Sequence, residues 1–169
     1  KSEQTRLTIV EFADFLCPHC RLAQKTLHQF MDSKEGVKII FKPFPLDGNC
    51  NSAITTKGDN VRCELSYAAL CADQIYKKGP ATQDYIFEHQ QNWNRATFDS
   101  DLNKMFENLS LENTKMIDCM KSSEMHQLVL NTAKEAGQIM GTPTFFANGK
   151  ELPYGQLLPV LDAVYKSVK

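Results

Sequence analysis

The sequence predicts an α/β fold in which a block of helices interrupts two halves of a strand-and-helix unit. Three observations predict it. Apolar, β-branched stretches cluster near both ends, as "RLTIVEFADF", "VKIIFKPFPL" and "PTFFANGKEL". Between them, residues 61–140 carry apolar side chains at helical spacing. The last residues form one more amphipathic helical stripe.

In chain order, "RLTIVEFADF" has the composition of a buried strand. It runs into "CPHC", after which Ala23, Leu27, Phe30 and Met31 recur at helical spacing. Residues 18–32 therefore read as a helix with Pro18 in its first turn, where the missing N–H costs nothing. "VKIIFKPFPL" is a second strand, broken by Pro43 and Pro45, and the β-α-β unit so formed takes a right-handed crossover if its strands are parallel. From Val61 to Met140 the pattern is helical, with breaks at Gly79-Pro80, Ser110 and Ser122. One face is Leu65, Ala68, Ala69, Ala72, Ile75 and Tyr76; another is Leu128, Thr132, Ala136 and Ile139. Asn148-Gly149 between apolar residues marks a tight hairpin. Leu157, Leu161, Val164, Tyr165 and Val168 stripe the last helix, with Pro159 near its start. The expected division is residues 1–50 with 141–169 for the α/β domain and 51–140 for the insert.

With 19 basic and 20 acidic residues, the chain has no electrostatic footprint for nucleic acid or anionic lipid. No run reaches the roughly 18 apolar residues of a membrane span, and "KSEQTRLTIV" is too polar for a signal h-region. The expectation is a soluble chain, a mature or trimmed form. Asn108-Leu109-Ser110 fits a glycosylation sequon, a triplet that also arises often by chance. Six cysteines, an even count, suit an oxidising compartment. Pairing Cys50 with Cys63 clips the Gly/Asn-rich "GNCNSAITTKGDN" and contributes about 3 kcal/mol by loop entropy. Cys71 and Cys119 are either a second pair or two buried thiols.

The remaining two cysteines carry the chemistry. Cys17 falls where strand meets helix, beside unpaired N–H groups and the positive end of the helix dipole, and Cys20 lies one turn in. That position favours thiolate, and the ring of His19 can add a hydrogen bond or a positive charge. Cys17 is thus expected to be an exposed, acidic nucleophile and Cys20 a more buried resolving thiol. Zinc would need a second knuckle, and the chain has no other C-x-x-C and no H-x3-5-H, so no metal is expected. A structural disulfide across two residues would close a loop too small to constrain much. His28, His89 and His126 lack spaced partners and read as ordinary helix side chains. Glu11 sits inside an apolar strand, which favours burial and a raised pKa, with Lys42 as a possible charged partner.

These residues resemble thioredoxin-fold thiol-disulfide oxidoreductases of the DsbA type, over "TIVEFADFLCPHC", "FKPFPLDGNCN", the helical insert and "GTPTFFANGKELPYG". "FPLDGNCN" followed by "CELSYAALCA" is similar to relatives associated with bacterial vitamin K epoxide reductase homologues. The resemblance implies a thioredoxin fold with a helical domain between its βαβ and ββα halves. It implies that the Cys17/Cys20 disulfide is the redox centre, with no other cofactor, and that Pro18-His19 is the dipeptide of oxidising members. Thr142-Pro143 matches the cis-proline loop that binds the substrate backbone, and Glu11 matches the buried acid that assists proton transfer at the resolving cysteine. The implied protein is a periplasmic or otherwise extracytoplasmic monomer. Its partners are reduced or unfolded protein clients and a quinone-linked membrane reoxidant of DsbB or vitamin K epoxide reductase type. Threonine before the proline is commoner among isomerases and reductases than in the strongest oxidases, where valine occurs. The alternative is therefore an isomerase or reductase kept reduced by a partner. A metal-binding or client-binding module on the same fold is a more distant reading.

Overall fold

The computed structural model describes residues 4–168, which fall into two compact units. The first comprises residues up to Ala13, Cys17–Lys42 and the chain from Gln138; the second comprises Asp14–Leu16 and Pro43–Gly137. Residues 43–50 therefore group with the helices, and the second unit ends at Gly137. The Cys50–Cys63 disulfide and the hydrogen bonds of Asp47 give the reason, since both tie that stretch to the start of the next helix.

The first unit is built on a sheet of order β2-β1-β3-β4. Strand β1 (Leu7–Ala13) alternates, so Leu7 and Ile9 turn into the core and Glu11 continues the same side. β1 runs antiparallel to β3 (Thr144–Ala147), with Glu11 opposite Phe145 and Ile9 opposite Ala147. β3 turns at Asn148 (φ 47°) and Gly149 (φ 82°) into β4 (Lys150–Glu151), the left-handed pair that a two-residue hairpin requires. The Asn148 amide also accepts from the Thr8 N–H at 2.8 Å, tying the turn to β1. Strand β2 (Val37–Pro43) ends where proline cannot donate to a ladder.

Helix α1 (Pro18–Asp32) buries Cys20, Ala23, Leu27 and Phe30. Met31, expected on that stripe, is exposed at the edge of the seam formed by residues 20, 23, 27 and 30, in the last turn of the helix. Leu27 and Phe30 pack with Leu7, Ile9, Phe145 and Leu161, the last from α7 (Leu158–Ser167). On α7 the packed side chains are Leu158, Leu161, Val164 and Tyr165, whereas Leu157 is exposed at the N-cap.

The second unit holds α2 (Val61–Tyr76), α3 (Gly79–Glu88), a 3-10 turn at Gln90–Asn92, α4 (Phe98–Asn108), α5 (Asn113–Lys121) and α6 (Ser123–Glu135). Helix α2 is buried on most sides, including Cys63, Tyr67 and Cys71, and Cys71 is disulfide-bonded to Cys119 on α5. Ile75 is exposed, past the buried length of α2. Ser122 ends α5 and caps α6, its Oγ accepting from the Met125 N–H at 3.2 Å. The buried face of α6 is Met125, Val129, Thr132 and Ala133, followed by Ala136 just past its end; of the expected stripe Thr132 and Ala136 are buried, whereas Leu128 is exposed. The helical pattern also stops at Glu135, short of Ile139 and Met140. Asn108 of the sequon is the exposed last residue of α4.

Candidate active site

Strand β1 and helix α1 set the first part of the site. Cys17 is the N-cap residue of α1 in extended conformation, and its carbonyl accepts from the N–H groups of Cys20 (3.1 Å) and Arg21 (3.2 Å). Its side chain is therefore placed at the helix end where N–H groups are left over. Cys17 and Cys20 are thiols in this structure, 8% and 0% exposed. Cys17 is the more accessible of the two but is not the exposed side chain the sequence suggests, because the loop at Thr142 covers it. The Cys17 thiol donates to the Thr142 carbonyl at 3.4 Å. The Thr142–Pro143 bond is cis, and the Thr144 hydroxyl donates to the Gly141 carbonyl at 2.7 Å, closing this loop on itself.

The Cys17 thiol is acidic, brought from 9.0 down to about 5. The Cys20 thiol, donating to the sulfur, is the largest cause; burial opposes it, and the Thr142 hydroxyl and the backbone N–H groups of Cys20 and His19 add to it. The Thr142 hydroxyl has no partner while Cys17 is a thiol, and it becomes a donor once the sulfur carries charge. His19 thus acts through its main chain. Its ring and Pro18 are exposed, because the first turn of a helix directs side chains outward and N–H groups inward.

Glu11, on β1, is near enough to feel the charge of the Cys17 sulfur. It is 1% exposed and neither oxygen accepts a hydrogen bond, so Lys42 is not its hydrogen-bond partner. Burial, and then the charge of the Cys17 thiolate, push its carboxyl up from 4.5 to about 8. At neutral pH the pair is consequently a thiolate beside a protonated acid. Sequence reasoning missed the hydroxyl of Thr142 and the covering of Cys17 by its loop; both depend on contacts between residues 125 positions apart.

The other cysteines are elsewhere, as Cys50–Cys63 and Cys71–Cys119 disulfides with Cα separations of 5.9 and 6.0 Å. His28 meets Gln24 at 3.0 Å, His89 stacks on Tyr85 and His126 on Tyr67, so each is engaged locally. Among the described residues no group of three or more His, Cys, Asp or Glu side chains could hold a metal ion. No helix among them is long and apolar enough to cross a membrane.

A four-stranded sheet with α1 rising from a two-cysteine junction opposite a cis X-Pro loop defines a thioredoxin-like fold. The chain belongs to the thioredoxin family, whose profile matches residues 2–156. Solved structures share the fold at low identity. The thiol-disulfide exchange protein alpha-DsbA2 of Wolbachia pipientis is 17% identical with a TM-score of 0.77, aligning 99% of this chain with 83% of that one. A thioredoxin-like oxidoreductase from Silicibacter pomeroyi is 20% identical with a TM-score of 0.72, over 96% and 88%. MdbA, a thiol-disulfide oxidoreductase from Corynebacterium diphtheriae, is 17% identical with a TM-score of 0.69, over 96% and 84%. The chain is also 26% identical over 150 residues to the Na(+)/H(+) antiporter NhaA 3 of Salinispora tropica, aligning 85% of this chain with 20% of that protein. It therefore spans about one fifth of the length of that curated relative.

Proposed function

We propose that this protein is an exported thiol-disulfide oxidoreductase that donates a Cys17–Cys20 disulfide to folding proteins. The observation that carries the reading is the hydrogen-bonded seat of the Cys17 sulfur, with Cys20, the start of α1 and Thr142 converging on it. A thiolate so stabilised favours the reduced state of the pair, and a pair stable when reduced is an oxidant.

In the reaction, a client thiolate attacks the Cys17 sulfur of the disulfide, forming a client–Cys17 bond and breaking Cys17–Cys20. Cys20 leaves as a thiolate and takes up a proton, for which the Glu11 carboxyl is the nearby acid. The client's second thiolate then attacks its own sulfur in the mixed disulfide and expels Cys17 as the thiolate. Two electrons pass to the protein, and the client gains a disulfide. Thr142 and Pro143 supply the edge along which the client backbone docks. Similarity to thiol-disulfide exchange proteins supports a reduced-protein substrate, and two further disulfides support an oxidising compartment such as the periplasm. A quinone-linked membrane enzyme of DsbB or vitamin K epoxide reductase type would restore the disulfide, and the protein would act as a monomer.

Oxidative refolding of a reduced client tests this. Stoichiometric oxidised protein should form client disulfides, Cys17→Ser should abolish the reaction, and the reduced form should melt above the oxidised one. A Cys17→Ser protein with undiminished oxidising activity overturns the reading; a clearly higher melting temperature for the oxidised form turns the direction toward reductase or isomerase.

A further inference from the structure

The helical unit holds a cavity of about 550 Å³ among α2, α4, α5 and α6, within the size range of small-molecule sites. Leu102, Ile117 and Met120 give it an apolar wall. Its charged side chains come in both signs, Glu64 from α2 and Asp99 from α4 against Lys121 at the end of α5. Arg95 donates to one oxygen of each carboxylate, at 2.6 Å for Glu64 and 3.2 Å for Asp99, and the second oxygens accept nothing among the described residues. Lys121 forms no ion pair among the described residues. The two signs therefore border the cavity without closing on each other.

The side chain that calls for a ligand is Tyr67. It is 8% exposed and lines the cavity, yet its hydroxyl has no hydrogen-bond partner among the described residues. Burial, and then the charges of Glu64 and Asp47, push its pKa up, so the phenol keeps its proton and its oxygen remains an acceptor. Its ring is preset by His126, which stacks on it at 4.4 Å and donates from Nε2 to the Met120 carbonyl at 2.9 Å. A buried hydroxyl on a cavity wall is satisfied by what fills the cavity. The carboxylates around this one select a cation there.

We propose that this cavity binds a short zwitterionic peptide with apolar side chains. The peptide ammonium meets the Tyr67 oxygen and the open oxygens of Glu64 and Asp99, the peptide carboxylate meets Lys121, and the side chains lie on Leu102, Ile117 and Met120. An amine lacking a carboxylate would leave Lys121 facing a like charge, and a carboxylate lacking an amine would face Glu64, Asp99 and Asp47. The site is independent of the chemistry assigned to Cys17.

The test is a titration of the ¹⁵N-labelled full chain with leucyl-leucine, followed by the amide shifts of residues around the cavity. The dipeptide should give a saturable shift, and N-acetyl-leucyl-leucine and leucyl-leucinamide, each lacking one charge, should bind about tenfold more weakly or worse. Tyr67→Phe keeps the ring on His126 and removes only the hydroxyl; it should weaken the dipeptide about tenfold, the effect of one hydrogen bond to a charged group. Should that variant fail to fold, Lys121→Gln, at an exposed position, decides, and it should bind leucyl-leucine and leucyl-leucinamide alike. A merely structural role for these side chains would move the melting temperature and leave the binding ratios at wild-type values. The proposal is overturned by the lack of a saturable shift up to about 10 mM, by equal binding of the blocked peptides to wild type, by a Tyr67→Phe variant that binds as wild type does, or by a Lys121→Gln variant that still prefers the free carboxylate.

Discussion

Replacing Glu11 by glutamine exposes a balance between two opposed titrations. The Glu11 carboxyl titrates at 4.5 when unfolded and about 8 when folded, so between those values the native protein holds a proton that the unfolded chain has lost. Its contribution to stability is full below pH 4.5 and is lost as pH rises through 8, at about 1.4 kcal/mol per pH unit. The Cys17 thiol is displaced the other way, from 9.0 to about 5, so its contribution is full above pH 9 and is lost as pH falls through 5, with a slope of the same size. Cys17 loses its proton first, and the resulting thiolate then helps to hold the proton on Glu11. Between pH 5 and 8 the two slopes cancel in the reduced protein. Glu11→Gln removes one of them, so the stability of the reduced variant should climb by about 4 kcal/mol from pH 5 to 8, while wild type gains nothing from this pair. Urea unfolding at unit pH intervals, with reductant present and followed by circular dichroism, measures both profiles. Parallel profiles for the variant and wild type would refute the reasoning, since Glu11 would then be ionised in the native state as it is in the unfolded chain.

The remaining predictions concern the sulfurs. Thioredoxin, with a thiol near pKa 7, has a potential of about -270 mV, and about two units of further acidity at about 30 mV each put this pair near -210 mV. Equilibration with glutathione measures it, and a value at or below that of thioredoxin would rule out an oxidant. Cys20→Ala removes the largest stabiliser of the Cys17 thiolate and should move the alkylation midpoint above 5 toward 9; an unmoved midpoint would assign the acidity to the helix start and the Thr142 hydroxyl. Loss of the Cys50–Cys63 disulfide through paired alanine substitutions should cost about 3 kcal/mol, and loss of Cys71–Cys119, which closes a longer loop, about 4 kcal/mol. Equal losses in urea unfolding would argue against a loop-entropy origin.

The fold was legible where its causes are local. Pro18 after a β-branched run, the Asn148-Gly149 pair and the serine at 122 each act within a few residues, and the elements begin or turn there. The burial expected for Glu11 from its apolar strand is seen, since the alternation of β1 puts it on the side of Leu7 and Ile9. On α6 Thr132 and Ala136 are buried as expected, but Val129 takes the place expected for Leu128, because both are apolar and only the packing of neighbouring helices selects between them. The covering of Cys17 by the Thr142 loop, and the hydrogen bond from the Gln90 side chain to the Phe15 carbonyl, join residues 125 and 75 apart. Nothing in the spacing of either segment encodes such a partner. The His19 ring is exposed while the main-chain N–H of His19 reaches the sulfur, because a helix terminus turns its N–H groups inward.

The asymmetry between the two cysteines follows from the same geometry. Both sulfurs are buried enough to be poorly solvated, yet the charge settles on Cys17, since the donors converge there and the unpartnered acid holds its proton. Cys20, with no exposure, can serve that thiolate as a donor while the pair is reduced, and in the proposed reaction it would leave as an anion. An anion expelled into an unsolvated site is costly unless a proton reaches it. A carboxyl with a hydrogen-bond partner would be held at lower pKa and would already have lost that proton at neutral pH. Burial of Glu11 and the neighbouring Cys17 charge, with no hydrogen bond to either carboxyl oxygen to oppose them, therefore keep the acid protonated across the pH range in which Cys17 is ionised.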